Sequence, residues 1–250
     1  MDAVYIIIFF VFGLFFGSFY NVVGDRLPNN LSIVKPRSMC PNCGKTLKWY
    51  ELIPVFSFIF LGGKCKSCKA RISLFYPITE IGCGFLFALS YYVFGFSYDL
   101  AIALTLSSLF IIILVSDLNY LIIPDEVIIF FSIFLIVLNF VCLGYMDGLV
   151  SFINGAVLFI IMFLLLKLGN YIFKKESLGG GDVKLMFVLG MTMPLINSFM
   201  ALFVGAVLAL VASLIVIFKT RDNVVPFGPF LVAGSIIVLF LGEYFTKIIS

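Results

Sequence analysis

The sequence contains no histidine and little charge. Without histidine, the chain has no imidazole for a catalytic triad, a general base or a zinc ligand. Charged residues make up 12% and hydrophobic residues 63% of the 250 residues, whereas soluble domains average about 25% charged and about 45–50% apolar. A chain this apolar cannot cover itself with a polar surface, so we expect a membrane protein. Disordered, nucleic-acid-binding and secreted disulfide-rich proteins are excluded as classes.

The few charged residues divide the chain into long uncharged runs. Six runs contain 17 to 22 residues and fit one membrane span each, because about 20 apolar residues cross the hydrocarbon core. A seventh run, 185–218, contains 34 residues and as one helix would be about 50 Å long. Met193 and Pro194 interrupt it, which predicts a short span near 183–195 and a full span near 198–218. The predicted fold is therefore all-α and polytopic, with about eight transmembrane helices.

Lysine and arginine are distributed unevenly over the connections between these spans. With eight spans, fifteen of the sixteen basic residues lie on one side, and Lys247 alone lies on the other. Cytoplasmic loops are rich in lysine and arginine, so we predict that both termini lie outside the cytoplasm. The segment 25–73, between the first two spans, then lies inside. Its nine basic residues serve this topology and also suit the anionic headgroups of the bilayer.

The segment 25–73 is polar, and it is too short to build much of a core. It holds two C-x2-C pairs separated by 21 residues: Cys40, Cys43, Cys65 and Cys68. Such pairs can present four thiolates to one tetrahedral metal ion. Disulfides rarely persist in the cytoplasm, so a disulfide pair or a dithiol redox motif is the less favoured alternative. We predict a structural zinc site.

Acidic residues at the ends of apolar runs are candidate functional residues, because charge is rare in membrane spans. Asp117 and Asp182 lie at the predicted cytoplasmic ends of the third and sixth spans. The glycines at 179–181, before Asp182, allow close packing or a positive φ. Two facing carboxylates offer a route to peptide hydrolysis, in which one activates a water and the other, protonated, polarises the carbonyl. The spacing leaves open that Asp182 only caps the sixth span.

Several motifs together resemble those of the type IV prepilin peptidase family. In chain order they lie at residues 17–23, 26–28, 40–44, 49–54, 65–68, 76–80, 116–125 and 179–185. The match covers nearly the whole chain in the right order. The resemblance implies an aspartic endopeptidase of the GxGD kind, with catalytic residues Asp117 and Asp182. It also implies that the segments carrying these two aspartates are supported by Gly179, Gly180, Gly181, Pro124 and Asp125.

The resemblance also implies the reaction and its location. The family cleaves prepilins or pseudopilins after a leader glycine, at the cytoplasmic face of the bacterial inner membrane. It then methylates the new N-terminal residue with S-adenosylmethionine. Residues 1–97 are expected to form a methyltransferase-associated region that includes the zinc segment, and residues 98–250 the peptidase core.

Other function classes remain as alternatives. One is a non-catalytic scaffold for pilus or secretion assembly, whose zinc segment docks a partner. Another is a carboxylate-based transporter, which would place acids near the middle of the membrane and repeat its halves. Here the acids lie at span ends and no internal repeat is visible. No glycine-rich nucleotide motif follows a strand, so the cofactor-binding residues stay unassigned. No nucleic-acid partner is expected, and the sequence indicates no oligomeric state.

Overall fold

The computed structural model describes residues 2–174, 179–220 and 225–249. Apart from two isolated bridges, this described part contains no β-structure. The α-helices are α1 (Asp2–Arg26), α2 (Phe56–Phe60), α3 (Phe75–Phe94), α4 (Tyr98–Tyr120), α5 (Asp125–Cys142), α6 (Tyr145–Phe173), α7 (Gly180–Gly190), α8 (Leu195–Thr220) and α9 (Gly228–Ile249). Short 3-10 helices lie at Leu27–Asn29 and Trp49–Leu52.

The predicted all-α membrane fold is confirmed. Within the described ranges, six helices are long and apolar enough to cross a membrane: α1, α3, α4, α5, α6 and α8. α9 adds a shorter apolar stretch, Gly228–Gly242. α7 has only 11 residues and is therefore about 16 Å long, less than the thickness of the hydrocarbon core. The predicted insert lies between α1 and α3, the first two spans.

The long run 185–218 is interrupted, as predicted. α7 ends at Gly190 and α8 begins at Leu195, so both helices begin about three residues before the predicted spans. Pro194 lies in the connection, where its missing N–H is harmless. The side-chain amide of Asn139 donates a hydrogen bond of 2.9 Å to the carbonyl of Met191, a partner for the end of α7. Lys175 and Arg221, which the topology prediction uses, lie outside the described residues.

The chain divides into two compact units, and the first is Met1–Val115. In it, α1 and α3 are in close contact because glycines face each other. A Cβ atom on Gly13 would lie 2.6 Å from the Cα atom of Gly84. A Cβ atom on Gly17 would lie 2.9 Å from the Cα atom of Glu80. Close approach at small residues is typical of helix pairs in membranes.

The second unit, Ser116–Ser250, holds the end of α4 and helices α5 to α9. Here the short helix α7 is surrounded by its neighbours, and most of its side chains are buried. Its contact with α6 is formed by two glycines, because a Cβ atom on Gly190 would lie 2.8 Å from the Cα atom of Gly155. The second unit therefore holds α7, with Asp182 in its first turn, in a fixed position.

Candidate functional site

The four cysteines of the segment 25–73 lie together. Their sulfur atoms are all within 4.8 Å of one another, and the sulfurs of Cys40 and Cys68 are 3.8 Å apart. Zinc–sulfur bonds of about 2.3 Å in a tetrahedron place the sulfurs about 3.8 Å apart. The arrangement therefore fits a four-coordinate metal ion. The sequence prediction that these cysteines converge is confirmed.

Both cysteine pairs have the same backbone geometry. The N–H of Cys40 donates to the carbonyl of Lys45, and the N–H of Gly44 donates back to Cys40. Cys65 repeats this pattern with Ala70 and Lys69. Gly44 has a φ of 67° and Lys69 a φ of 61°, so the same left-handed turn closes each pair. Bridges Met39–Thr46 and Lys64–Arg71 close the base of each loop.

In the second cysteine pair, nearby N–H groups favour the thiolate form that a metal requires. The backbone N–H of Ala70 and the side-chain amide of Asn42 lower the pKa of the Cys68 thiol to about 6. The backbone N–H groups of Cys68 and Ser67 lower the pKa of the Cys65 thiol. N–H donors stabilise the negative charge on sulfur.

A partly buried ion pair connects the first cysteine loop to the 3-10 helix that follows it. The ammonium of Lys45 lies 2.9 Å from Glu51 Oε1, and the Lys48 N–H donates to Glu51 Oε2 at 2.8 Å. Glu51 is 7% exposed. The Lys48 N–H and the Lys45 ammonium lower the pKa of Glu51, because both stabilise its charged form.

Asp117, the first predicted acid, lies in the last turn of α4 and is 6% exposed. Its Oδ2 accepts a hydrogen bond of 3.1 Å from the backbone N–H of Gly228. Gly228 is the first residue of α9, so its N–H has no partner within that helix. The positive end of the α9 dipole also points to the carboxylate. Sequence reasoning did not identify Gly228, although proline after glycine at 228–229 is typical of a helix start.

Asp182, the second predicted acid, is the third residue of α7 and is 8% exposed. The N-cap position belongs to Gly179, so Asp182 is not the cap itself. Its carboxylate accepts a hydrogen bond from the Gly179 N–H. A Cβ atom on Gly179 would lie 2.8 Å from Asp182 Oδ2. Glycine at 179 therefore leaves room for the carboxylate to fold back over the start of the helix.

The sequence left open whether the glycines at 179–181 serve close packing or a positive φ, and in the structure they serve close packing. None of the glycines at 179–181 is among the residues with positive φ. A Cβ atom on Gly181 would lie 3.0 Å from the Cβ atom of Ile123, whereas Gly180 has open space around it. Gly181 thus lets the second aspartate motif approach the first.

A second contact connects the two motifs. The ammonium of Lys184 lies 2.7 Å from Oδ1 and 2.8 Å from Oδ2 of Asp125. Asp125 follows Pro124, the N-cap of α5. Sequence reasoning identified Pro124 and Asp125 but missed Lys184 and Ile123. The sequence did contain a signal for these two residues, because both lie inside the motifs at 116–125 and 179–185.

The two motifs therefore bring Asp117 and Asp182 into one site of the second unit. The carboxylates lie close enough to interact electrostatically. In the described part of the chain, the ion pairs are Lys45–Glu51 and Lys184–Asp125, and neither includes these two acids. The site thus holds two buried carboxylates whose described partners are backbone N–H groups.

The chain is similar to known proteins over most of its length. The Bacterial Peptidase A24 N-terminal domain matches residues 11–94, and the Type IV leader peptidase family matches residues 104–214. A prepilin leader peptidase/N-methyltransferase from Bacillus subtilis is 39% identical over 94% of this chain and 94% of the relative. Proteins of the same name from Myxococcus xanthus and Vibrio cholerae are 40% and 33% identical. These matches cover 72% and 76% of this chain, and 54% and 78% of the relatives. No solved structure matches the chain significantly.

The chain belongs to the type IV leader peptidase family. The family predicted from the order of the motifs is confirmed. The two family matches meet between residues 94 and 104, whereas the two compact units meet after Val115, within α4.

Proposed function

We propose that the protein is a membrane-embedded aspartic endopeptidase that removes the leader peptide of prepilins or pseudopilins and N-methylates the new N-terminus. The relatives in several bacteria are named for both activities. The observation that supports the peptidase most directly is the pair of buried acids, Asp117 and Asp182. They come from separate motifs, lie in one unit, and interact with each other.

The chemistry proposed for this pair is general acid–base hydrolysis. Two carboxylates at short range hold one proton between them, because both cannot ionise easily. The ionised one takes a proton from a water, and the protonated one donates a hydrogen bond to the scissile carbonyl. The Gly228 N–H on Asp117 and the Gly179 N–H on Asp182 orient the carboxylates. Lys184 and Asp125 fix the second motif against the first, and Gly179, Gly180 and Gly181 leave the space that this approach needs.

The location of the reaction follows from the proposed topology. The protein is a multi-pass membrane protein, and its basic residues favour a cytoplasmic position for the segment 25–73. Asp117 then lies at the cytoplasmic end of α4. We place cleavage at this face of the inner membrane, with the termini outside. Cleavage after a leader glycine follows from the resemblance to the family.

The zinc segment and the methyltransferase activity are proposed to belong together in residues 1–97. Cys40, Cys43, Cys65 and Cys68 would hold one structural zinc ion, since four thiolates leave no open coordination position. S-adenosylmethionine, when bound, supplies an activated methyl group. Residues 98–250 form the proposed peptidase core.

Leader cleavage by purified variants tests the peptidase. Asp117→Asn and Asp182→Asn nearly preserve volume but remove the shared proton, so each should abolish cleavage of a prepilin, read by mass spectrometry. The two losses should not add, because the acids act as one device. Asp125→Asn is the matched control, and it should lose much less because this acid is paired with Lys184 and exposed. Near-normal cleavage by Asp182→Asn would contradict the proposed pair of catalytic acids and would favour the scaffold function.

A further inference from the structure

A third buried acid, Glu80, lies in the first unit and has no part in the proposed peptidase. It is the sixth residue of α3 and is 8% exposed. The backbone N–H of Val55 donates to its Oε2 at 2.8 Å, and the side chain of Ser18 on α1 also hydrogen-bonds to it. Gly17 permits this contact between α1 and α3, because its position lies directly against Glu80.

The loop that contacts Glu80 is strained. Val55 has a φ of 61° and a ψ of −51°, values that a β-branched residue rarely adopts. The N–H of Phe56 donates to the carbonyl of Pro54 at 2.6 Å, which makes Val55 the centre of a positive-φ γ-turn. In this turn the Val55 N–H points to the carboxylate. Strain of this kind is concentrated at functional sites.

Among the described residues, Glu80 has no positively charged partner. In the described part of the chain, the two ion pairs involve Glu51 and Asp125, and the partners of Glu80 are neutral. A buried carboxylate with neutral partners is unfavourable unless it is protonated or a cation approaches it. The site is therefore complementary in charge to a cationic ligand.

An unpaired amide on α1 contacts the residue that precedes Glu80. Asn21 on α1 is 3% exposed, and its Oδ1 contacts the Thr79 hydroxyl, next to Glu80 in sequence, at 2.8 Å. Its Nδ2 has no hydrogen-bond partner among the described residues. If the amide is turned over, its oxygen takes the same unpaired position. In that orientation Nδ2 donates to the Thr79 hydroxyl, and the free oxygen can accept a hydrogen bond from a ligand donor. Buried polar groups are nearly always paired in folded proteins, so such a ligand would supply the missing hydrogen bond.

We propose that Glu80, with Ser18, Asn21 and the Val55 turn, forms a binding site for a primary ammonium group. The inference rests on the proposed function, because N-methylation brings such a group from two sources. One is the new N-terminus of the cleaved substrate, and the other is the amino group of S-adenosylmethionine. The site lies about 7.5 Å, or five residues at about 1.5 Å each, inside the ends of α1 and α3 that border the zinc segment.

Equilibrium binding to the full-length protein in detergent tests this proposal. The first probe is a short peptide with a free N-terminal phenylalanine, compared with the same peptide after N-acetylation. The second probe is radiolabelled S-adenosylmethionine. Glu80→Gln keeps an oxygen for the Val55 N–H but removes the charge, and Asp99→Asn is the matched control at the opposite end of the helices. Zinc content and thermal unfolding of each variant verify that it folds.

The wild-type protein should bind the free-amine peptide or S-adenosylmethionine, and Glu80→Gln should weaken that binding roughly tenfold to hundredfold. The affinity for the acetylated peptide should be the same in Glu80→Gln as in the wild type. Loss of peptide binding identifies the substrate's N-terminus as the ligand, and loss of S-adenosylmethionine binding identifies the cofactor. The proposal is wrong if Glu80→Gln binds both probes as the wild type does.

If Glu80→Gln does not fold, two other measurements test the proposal. It is overturned if the wild type binds the free and acetylated peptides equally well and Ser18→Ala binds S-adenosylmethionine as the wild type does. Absence of leader cleavage by the wild type would instead contradict the proposed function.

Discussion

The contact between Gly155 and Gly190 should control the activity of a site that it does not touch. In Gly190→Ala, the added methyl group would lie 2.8 Å from the Cα atom of Gly155 and 3.0 Å from the carbonyl oxygen of Asn154. Both are backbone atoms that cannot rotate away. Ordinary contact begins near 3.4 Å, so α7 must shift from α6 by about 0.6 Å. Overpacking of this kind destabilises proteins by about 1–3 kcal/mol.

The shift should reduce peptide cleavage because α7 carries Asp182. A displacement of about 1 Å at a reacting group costs up to about 100-fold in rate, so we expect a loss of at least about tenfold. The assay is the initial rate of leader cleavage in detergent, with thermal unfolding measured in parallel. Gly155→Ala should have the same effect from the opposite helix. Gly82→Ala, in a helix with open space at that position, is the control and should be neutral or stabilising. Cleavage at the wild-type rate by folded Gly190→Ala would refute this reasoning.

Three further predictions concern the ion pairs and the zinc segment. Cys40→Ser should lower the zinc content, measured by metal analysis, and should impair methylation before cleavage. Lys184→Met should reduce cleavage by no more than about fivefold, because exposed ion pairs contribute about 0.2–1 kcal/mol, and adding Asp125→Asn should cause little further loss. Because the pKa of Glu51 is lowered in the folded protein, its charge stabilises the segment at pH values above the usual carboxyl pKa. This stabilisation is lost as the pH falls through the pKa that Glu51 has in the folded state. Fluorescence of Trp49, the single tryptophan, should show a transition in acid that Glu51→Gln lacks.

The sequence predicted those features whose signal is local. Span positions follow from runs of apolar residues, and the cysteine loops follow from the spacing of the C-x2-C pairs. The two aspartate motifs are likewise continuous segments. Contacts between distant segments had no such signal. Gly228 and Asp117 are 111 residues apart, and Lys184 and Asp125 are 59 residues apart. Only the packing of the helices brings these pairs together.

The glycines at 179–181 show why composition alone left two alternatives open. Glycine permits both a positive φ and a close contact, and the sequence contains nothing that separates the two. The structure uses close contact at Gly181, against Ile123. That contact requires α7 to lie beside the 116–125 motif, which is a property of the fold and not of the tripeptide.

The shortness of α7 also has a physical reason. An 11-residue helix cannot cross the membrane, so at least one of its ends must lie at a depth where unpaired backbone groups are costly. Such an end is tolerated only when protein surrounds it. Both ends of α7 meet this condition: the first turn lies against Ile123 and holds the Asp182 carboxylate, and the last turn is followed by a carbonyl paired with Asn139. The helix is therefore fixed at both ends by the same unit, and this fixes the position of Asp182 in its first turn.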